Sequence, residues 1–280
     1  MDLAAHATKA TAFRALHQGS RILLLPNAWD VSSACIFEKA GVSAIATTSA
    51  GVAFTFGYPD GQKISRHEML AVVSRIAAKV NLPVTADVEA GYGNRPEDTA
   101  LTAEGVIKAG AVGMNLEDST GDPQHPLADL SLQLEKILAV REMAQRMGVP
   151  LVLNARTDVY LAQVGAPERR YDEMVRRLAA FRDAGADCLF APGVRDSKVI
   201  QQLVGDLKHP INILAGPGSP SVPELQKLGV ARVSLGSSPM RATLGLVRRI
   251  AQEVLGTGTY QTLQDAPSHA EVNHLMAGKD

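Results

Sequence analysis

The sequence predicts a single (β/α)8 barrel of the TIM type, and three observations lead there. A unit recurs in which a helix-like stretch ends in a small residue and glycine and runs straight into an apolar strand, as in Lys108-Ala109-Gly110-Ala111 and Asp183-Ala184-Gly185-Ala186. The strands are continuous apolar runs, such as Ile22-Leu23-Leu24-Leu25 and Leu151-Val152-Leu153, rather than alternations. Such runs belong to parallel strands buried on both faces. Eight of them fit into 280 residues, which indicates a closed barrel. The rival is an open doubly wound sheet, which would carry a glycine-rich phosphate fingerprint after its first strand. Pro26-Asn27-Ala28-Trp29-Asp30 stands there instead.

Taken in order, the chain opens with an expected helix from Leu3 to His17. The strands are expected at Ile22 to Ala28, Ala44 to Ser49, Val84 to Ala90, Gly113 to Asp118, Leu151 to Thr157, Cys188 to Gly193, Ile211 to Gly216 and Arg232 to Gly236. Amphipathic segments between them include Arg66 to Val80, Pro96 to Ala109, Leu130 to Met147 and Tyr171 to Ala184. Glycine after each helix supplies a left-handed cap before the chain turns into the next strand. The barrel is expected over residues 1–255. A helical tail is expected over 256–280, with apolar spacing through Ala270, Val272, Leu275 and Met276. A tail after a finished barrel must pack on its own barrel or on a neighbouring subunit.

Composition narrows the functional classes. Apolar residues make up 46% and charged residues 20%, enough for a large core. The net charge is -1 with no basic stripe, which argues against nucleic acid or an anionic membrane as partner. No run of 18 apolar residues exists to span a bilayer. No signal-peptide pattern opens the chain, so the cytoplasm is the default expectation. The two cysteines, Cys35 and Cys188, lie in apolar segments and read as buried free thiols.

The C-terminal strand ends of a barrel carry its chemistry. Here they collect acids. Asp87 and Glu89 are two apart and point to the same side of one strand. Glu117 ends the adjacent strand, and Asp60 can reach in from the loop Gly57-Tyr58-Pro59-Asp60-Gly61. Carboxylates facing one cavity repel unless a cation neutralises them. Oxygen ligands without a nearby His or Cys favour Mg2+, with Mn2+ as the alternative. Arg156 offers a fork for a substrate carboxylate or phosphonate. Any single acid, Glu117 or Asp118 for example, could instead merely cap the following helix. His67 and His209 read as structural or solvated, and no His pair has zinc spacing.

At these residues the sequence resembles the isocitrate lyase and phosphoenolpyruvate mutase superfamily, from about Leu25 to Ala242. The resemblance rests on Ala86-Asp87-Val88-Glu89-Ala90-Gly91-Tyr92-Gly93, with Ser49-Ala50-Gly51, Gly57-Tyr58-Pro59-Asp60, Leu116-Glu117-Asp118 and Ala155-Arg156-Thr157-Asp158 in family order. It implies that Asp87 ligates Mg2+ directly and that Asp60, Glu89 and Glu117 hold its waters. Ser49, Ala50 and Gly51 would grip the α-oxo acid end of a small carboxylate, and Arg156 would neutralise its charge. It also implies a homo-oligomer, a dimer of dimers, with a helix near the C-terminus exchanged between subunits.

One departure is large. The loop Asp118-Ser119-Thr120-Gly121-Asp122-Pro123-Gln124-His125-Pro126 lacks the Lys-Arg-Cys-Gly-His type motif that carries the lyases' proton-donating Cys. His125, Ser119 or a water near Tyr92 are the candidate substitutes, and a solvated loop histidine is the plainer reading of His125. A second departure is Ala215-Gly216, where relatives often show Asn. The loop from Ser119 to Asp129 is expected to act as a mobile lid. The leading expectation is a Mg2+-dependent carbon–carbon lyase acting on a small 2-hydroxy or 2-methyl di- or tricarboxylate. The alternatives are P–C chemistry on a phosphonopyruvate-like acid, an oxaloacetate-type decarboxylase, and a metabolite-binding protein without turnover.

Overall fold

The helix starts follow from local capping. At the start of α4 (Arg66–Lys79), the Ser65 hydroxyl accepts from the Glu68 amide while the Glu68 carboxylate accepts from the Ser65 amide. Asp30 and Ser33 form the same reciprocal cap for α2 (Val31–Lys39). At the helix ends, Gly110 and Gly185 take φ of 91° and 102°, a conformation that costs a side-chain-bearing residue. The four amphipathic segments read from the sequence become α4, α5 (Pro96–Lys108), α6 (Leu130–Arg146) and α7 (Arg170–Asp183), each within one or two residues of expectation.

The computed structural model describes residues 2–277. Its parallel strands are β1 (Leu23–Leu25), β2 (Asn27–Ala28), β3 (Ile45–Thr47), β4 (Val84–Asp87), β5 (Gly113–Glu117), β6 (Val152–Arg156), β7 (Cys188–Phe190), β8 (Ile211–Leu214) and β9 (Arg232–Ser234). They pair in the order β1-β9-β8-β7-β6-β5-β4-β3-β2. The first expected strand is thus two segments on either side of Pro26. The first pairs with β9 and the second with β3, which brings the sheet round into a barrel. The strands are shorter at their C-terminal ends than expected. Ser49 opens a short helix, α3 (Ser49–Thr55), instead of ending a strand. Glu89 takes φ of 52°, which removes Val88 to Ala90 from the ladder.

Helix α1 (Leu3–Leu16) closes the N-terminal mouth of the barrel. Its Phe13 is fully buried, and a Cβ built on Gly113 would lie 2.8 Å from the Phe13 ring. His6 bonds the Ala111 carbonyl, and Arg14 pairs with Asp187 at 3.0 Å. The remaining helices are α8 (Ser197–Leu207), α9 (Val222–Lys227), α10 (Ser238–Gly256) and α11 (His269–Ala277). The tail helix α11 lies on α2 of its own chain, through Lys39–Glu271 at 3.0 Å and a bond from Ser32 to the Met276 sulfur. The unpacked apolar surface belongs instead to α10. Only Met240 of that helix is buried, while Leu244, Val247, Val254 and Leu255 are exposed. Both cysteines are buried and free. Among the described residues, no helix is long and apolar enough to cross a membrane.

Candidate active site

Strand register brings the expected residues together. Asp87 stands opposite Asn115, Asn115 opposite Asn154, and Glu117 opposite Arg156. Asp87, Glu89 and Glu117 are buried residues, at 8%, 2% and 8% exposure. Asp87 is held from two sides. Its Oδ2 accepts from the Ser49 amide at 2.9 Å and the Ser49 hydroxyl at 2.8 Å, and its Oδ1 from the Asn115 amide at 3.3 Å. The Asn115 orientation is fixed in turn, because its oxygen accepts from Asn154 and from the fully buried Arg232.

Glu89 projects from a tight turn. Its Oε2 accepts from the Gln62 amide at 2.5 Å and its Oε1 from the Tyr92 hydroxyl at 3.4 Å. Burial pushes the Glu89 carboxyl up to about 7, and the charges of Asp87 and Asp60 add to the rise. Burial likewise raises Glu117 well above the usual range, against the pull of Arg156 and with the push of Asp158, Asp87 and Glu89. Asp60 sits on an exposed loop, but loss of water around its carboxyl and the charge of Asp87 raise it too. The four acids therefore act on one another at one mouth of the barrel. Carboxyls whose charges repel in this way would be relieved by a bound cation.

Arg156 is more committed than its sequence suggests. Its Nη1 meets Glu117 at 2.6 Å, and its Nε and Nη2 donate to the two oxygens of Asp158 at 2.5 and 2.8 Å. Burial alone would lower the guanidinium's pKa, but Glu117 and Asp158 outweigh that and raise it. Its carbon lies 5.8 Å from the centre of the Phe190 ring. Asp158 is positioned by Asp118, which accepts from the Asp158 amide, the Thr157 hydroxyl and Arg177.

Among the described residues, no three His, Cys, Asp or Glu side chains stand as a preformed metal cage. A Mg2+ ion held here would take one or two carboxylates directly and waters for the rest. The oxygen-only donor set, the mutual repulsion and the raised Glu89 together fit such an ion. Of the gripping trio, Ser49 spends its donors on Asp87 and Gly51 donates to the Thr48 hydroxyl. The amide of Ala50, in the first turn of α3, has no intrahelical acceptor.

His125 stands apart. The segment after β5 folds into a small hairpin, with a bridge between Ser119 and Leu127 and a bond from Thr120 to the Pro126 carbonyl. The His125 side chain is 80% exposed and pairs with Asp122 at 3.3 Å.

Sequence reasoning gave no role to Gln62, Asn115, Asn154, Asp158 or Arg232. Asn115 and Asn154 had a usable signal, since an amide inside a fully buried apolar strand needs a partner. Gln62 had none.

Residues 13–255 match the family model described as phosphoenolpyruvate phosphomutase. The chain belongs to this family, within the phosphoenolpyruvate mutase/isocitrate lyase superfamily. It is 34% identical to an uncharacterized protein of Mycobacterium tuberculosis, over 87% of this chain and 88% of that one. It is 31% identical to an oxaloacetate decarboxylase of Ectopseudomonas mendocina, over 81% and 77%. With the 2-methylisocitrate lyase of Escherichia coli it shares 27% identity, over 91% and 87%. Among solved structures, a lyase/mutase-like protein from Burkholderia cenocepacia superposes with a TM-score of 0.93 at 39% identity, covering 100% of this chain and 99% of that one. A phosphonopyruvate hydrolase in complex with oxalate and Mg2+ superposes with a TM-score of 0.84 at 26% identity, over 96% and 95%.

Proposed function

We propose that this family member is a Mg2+-dependent lyase that cleaves a carbon–carbon bond beside the α-oxo acid end of a small carboxylate. The observation that supports the reading is that the carboxyls of Asp60, Asp87, Glu89 and Glu117 act on one another through their charges, with burial and the charges of Asp87 and Asp60 raising Glu89 to about 7. Asp87 would hold the ion directly, and Asp60, Glu89 and Glu117 would hold its waters. Bound there, Mg2+ supplies charge stabilisation for the enolate-like oxyanion of the reaction.

The chain's own residues do the rest. Asn115 and Ser49 aim the Asp87 carboxylate. The amide of Ala50, which has no intrahelical acceptor, would donate to the substrate carboxylate, while the Gly51 amide stays on the Thr48 hydroxyl. Arg156, kept rigid by Glu117 and Asp158, has N–H groups left on Nη1 and Nη2 for the substrate. Tyr92 donates to Glu89 and orients its carboxylate. His125 would donate a proton only after the Ser119–Leu127 hairpin closes.

The exposed position of His125 favours a second reading, decarboxylation of an oxaloacetate-type acid. Loss of CO2 needs an electron sink more than a loop acid. The oxaloacetate decarboxylase relative agrees with this reading.

The test is a panel of 2-hydroxy and 2-oxo acids, with Mg2+ and with EDTA, scored for glyoxylate, pyruvate or CO2. Metal-dependent release of an oxo acid without CO2 is expected for the lyase, and CO2 together with an equal amount of pyruvate from oxaloacetate for the decarboxylase. No turnover together with tight Mg2+-dependent ligand binding would point to a metabolite-binding protein. In the lyase, His125→Gln should lower kcat by about 10²-fold or more, the usual contribution of a positioned acid. In the decarboxylase it should leave kcat unchanged.

A further inference from the structure

One buried cation has no part in the chemistry above. Lys136 of α6 is 4% exposed. Its ammonium donates to two backbone carbonyls, Ala90 at 3.2 Å and Gly93 at 2.9 Å. Among the described residues no carboxylate pairs with it, and Asp98 is the acid whose charge reaches it. Burying an ammonium without a counter-charge is unfavourable, so two carbonyl bonds need a structural return.

The return lies in the turn those carbonyls bracket. Glu89, Gly91 and Tyr92 have φ of 52°, 94° and 58°. Two of the three carry a Cβ, and left-handed backbone is unfavourable for them. Such a turn persists only when its surroundings hold it. The Glu89 carbonyl accepts from the Glu117 amide at 3.0 Å, and the Gly91 carbonyl from Thr102 at 2.7 Å. The Tyr92 amide donates to Gln62 at 2.6 Å. A Cβ on Gly91 would lie 2.8 Å from the Thr99 hydroxyl, so the turn is packed tightly against α5. Each of these grips takes one backbone group. Lys136 alone takes two, directly after Glu89 and on either side of Gly91 and Tyr92.

We infer that Lys136 is a positioning residue, which locks the turn from Glu89 to Gly93 in its left-handed form and so sets Glu89 and Tyr92 against the metal site. The inference rests on the Mg2+ reading for its functional consequence and on the turn geometry for its cause.

The experiment uses the full chain and two variants. Lys136→Met keeps the apolar stem and removes both bonds. Gln133→Met is the control, because Gln133 lies one turn earlier on the same helix, is fully buried, and has a side-chain amide with no partner among the described residues. Mg2+ affinity is measured by calorimetry, and amide exchange over residues 88–93 is measured on the metal-free protein. Lys136→Met should weaken Mg2+ binding by about 10–100-fold, as losses of outer-shell partners do. It should also speed exchange in the turn. Gln133→Met should match the wild type in both. Wild-type exchange and wild-type affinity in Lys136→Met would overturn the inference. If the wild-type chain itself binds no Mg2+, the metal reading falls, and the exchange data alone decide whether Lys136 holds the turn. Should Lys136→Met fail to fold, Lys136→Gln, with a shorter reach, takes its place: weaker Mg2+ binding and faster exchange support the inference, and wild-type values of both overturn it.

Discussion

Arg156 and Asp158, two residues apart, are joined by two hydrogen bonds of 2.5 and 2.8 Å, while the far side of the guanidinium meets Glu117 at 2.6 Å. The Arg156 guanidinium is therefore clamped between two carboxylates. Asp158→Asn keeps one acceptor and removes a charge. Because Glu117 remains, the loss should stay below the roughly 3–5 kcal/mol of an orphaned buried charge, at about 1–3 kcal/mol. Urea unfolding measures it. Turnover should fall through KM as well as kcat, since the fork would lose its orientation. Unchanged stability and kinetics would mean that Asp158 does not hold Arg156 in solution.

Asp87→Asn should abolish Mg2+ binding measured by calorimetry and all metal-dependent turnover. The amide can still accept from Ser49, so the hydrogen-bond frame largely survives. Removing one charge from a repelling set offsets what is lost, so the thermal midpoint of the metal-free protein should hold or rise. Mg2+ affinity equal to wild type would count decisively against Asp87 as the direct ligand.

Stability of the metal-free protein should fall as pH rises through the Glu89 window. The folded carboxyl sits at about 7 against an ordinary value of 4.5, so the folded state holds the proton where the unfolded chain has released it. Across that interval the unfolded state binds fewer protons, and unfolding free energy declines with pH, by at most about 3 kcal/mol for a shift of this size. Glu89→Gln should flatten the decline. Saturating Mg2+ should do the same in the wild type, because the ion favours the ionised form. Asp118, raised by burial to about 6, contributes a similar slope that neither treatment removes. A stability curve that rises from pH 5 to 7 in wild type and variant alike would contradict the cluster's electrostatics.

The bare face of α10 should mediate self-association. Leu244 and Val247 are 49% and 60% exposed, and on the barrel wall Leu24 of β1 is 42% exposed. Apolar side chains left open on both surfaces are unusual for an isolated protomer. The full chain should run as a dimer or larger in light scattering. Leu244→Glu with Val247→Glu should yield smaller species with unchanged far-ultraviolet circular dichroism. A monomeric wild type at micromolar concentration would refute the interface.

What the chain determined alone is the barrel and the set of acids at its mouth. Both follow from short-range regularities. Apolar runs mark strands buried on both faces, 3.6-residue spacing marks the helices over them, and Asp87 falls at the C-terminal end of its strand. The C-terminal strand ends of a parallel barrel share one face, so Glu117 had to join it. What the tertiary structure decided are the long-range partners and the local backbone. Lys136 reaches a carbonyl 46 positions earlier, and Arg232 an amide 117 positions away. The turn that lifts Glu89 off its strand depends on left-handed residues that no periodicity announces. The tail helix was legible, but its seat on α2 was not, because an apolar stripe states that it must be covered and leaves open by what. Local pattern specifies which groups want burial or charge compensation. Only the closed fold, by bringing distant strands and helices within hydrogen-bond range, assigns each of them a partner.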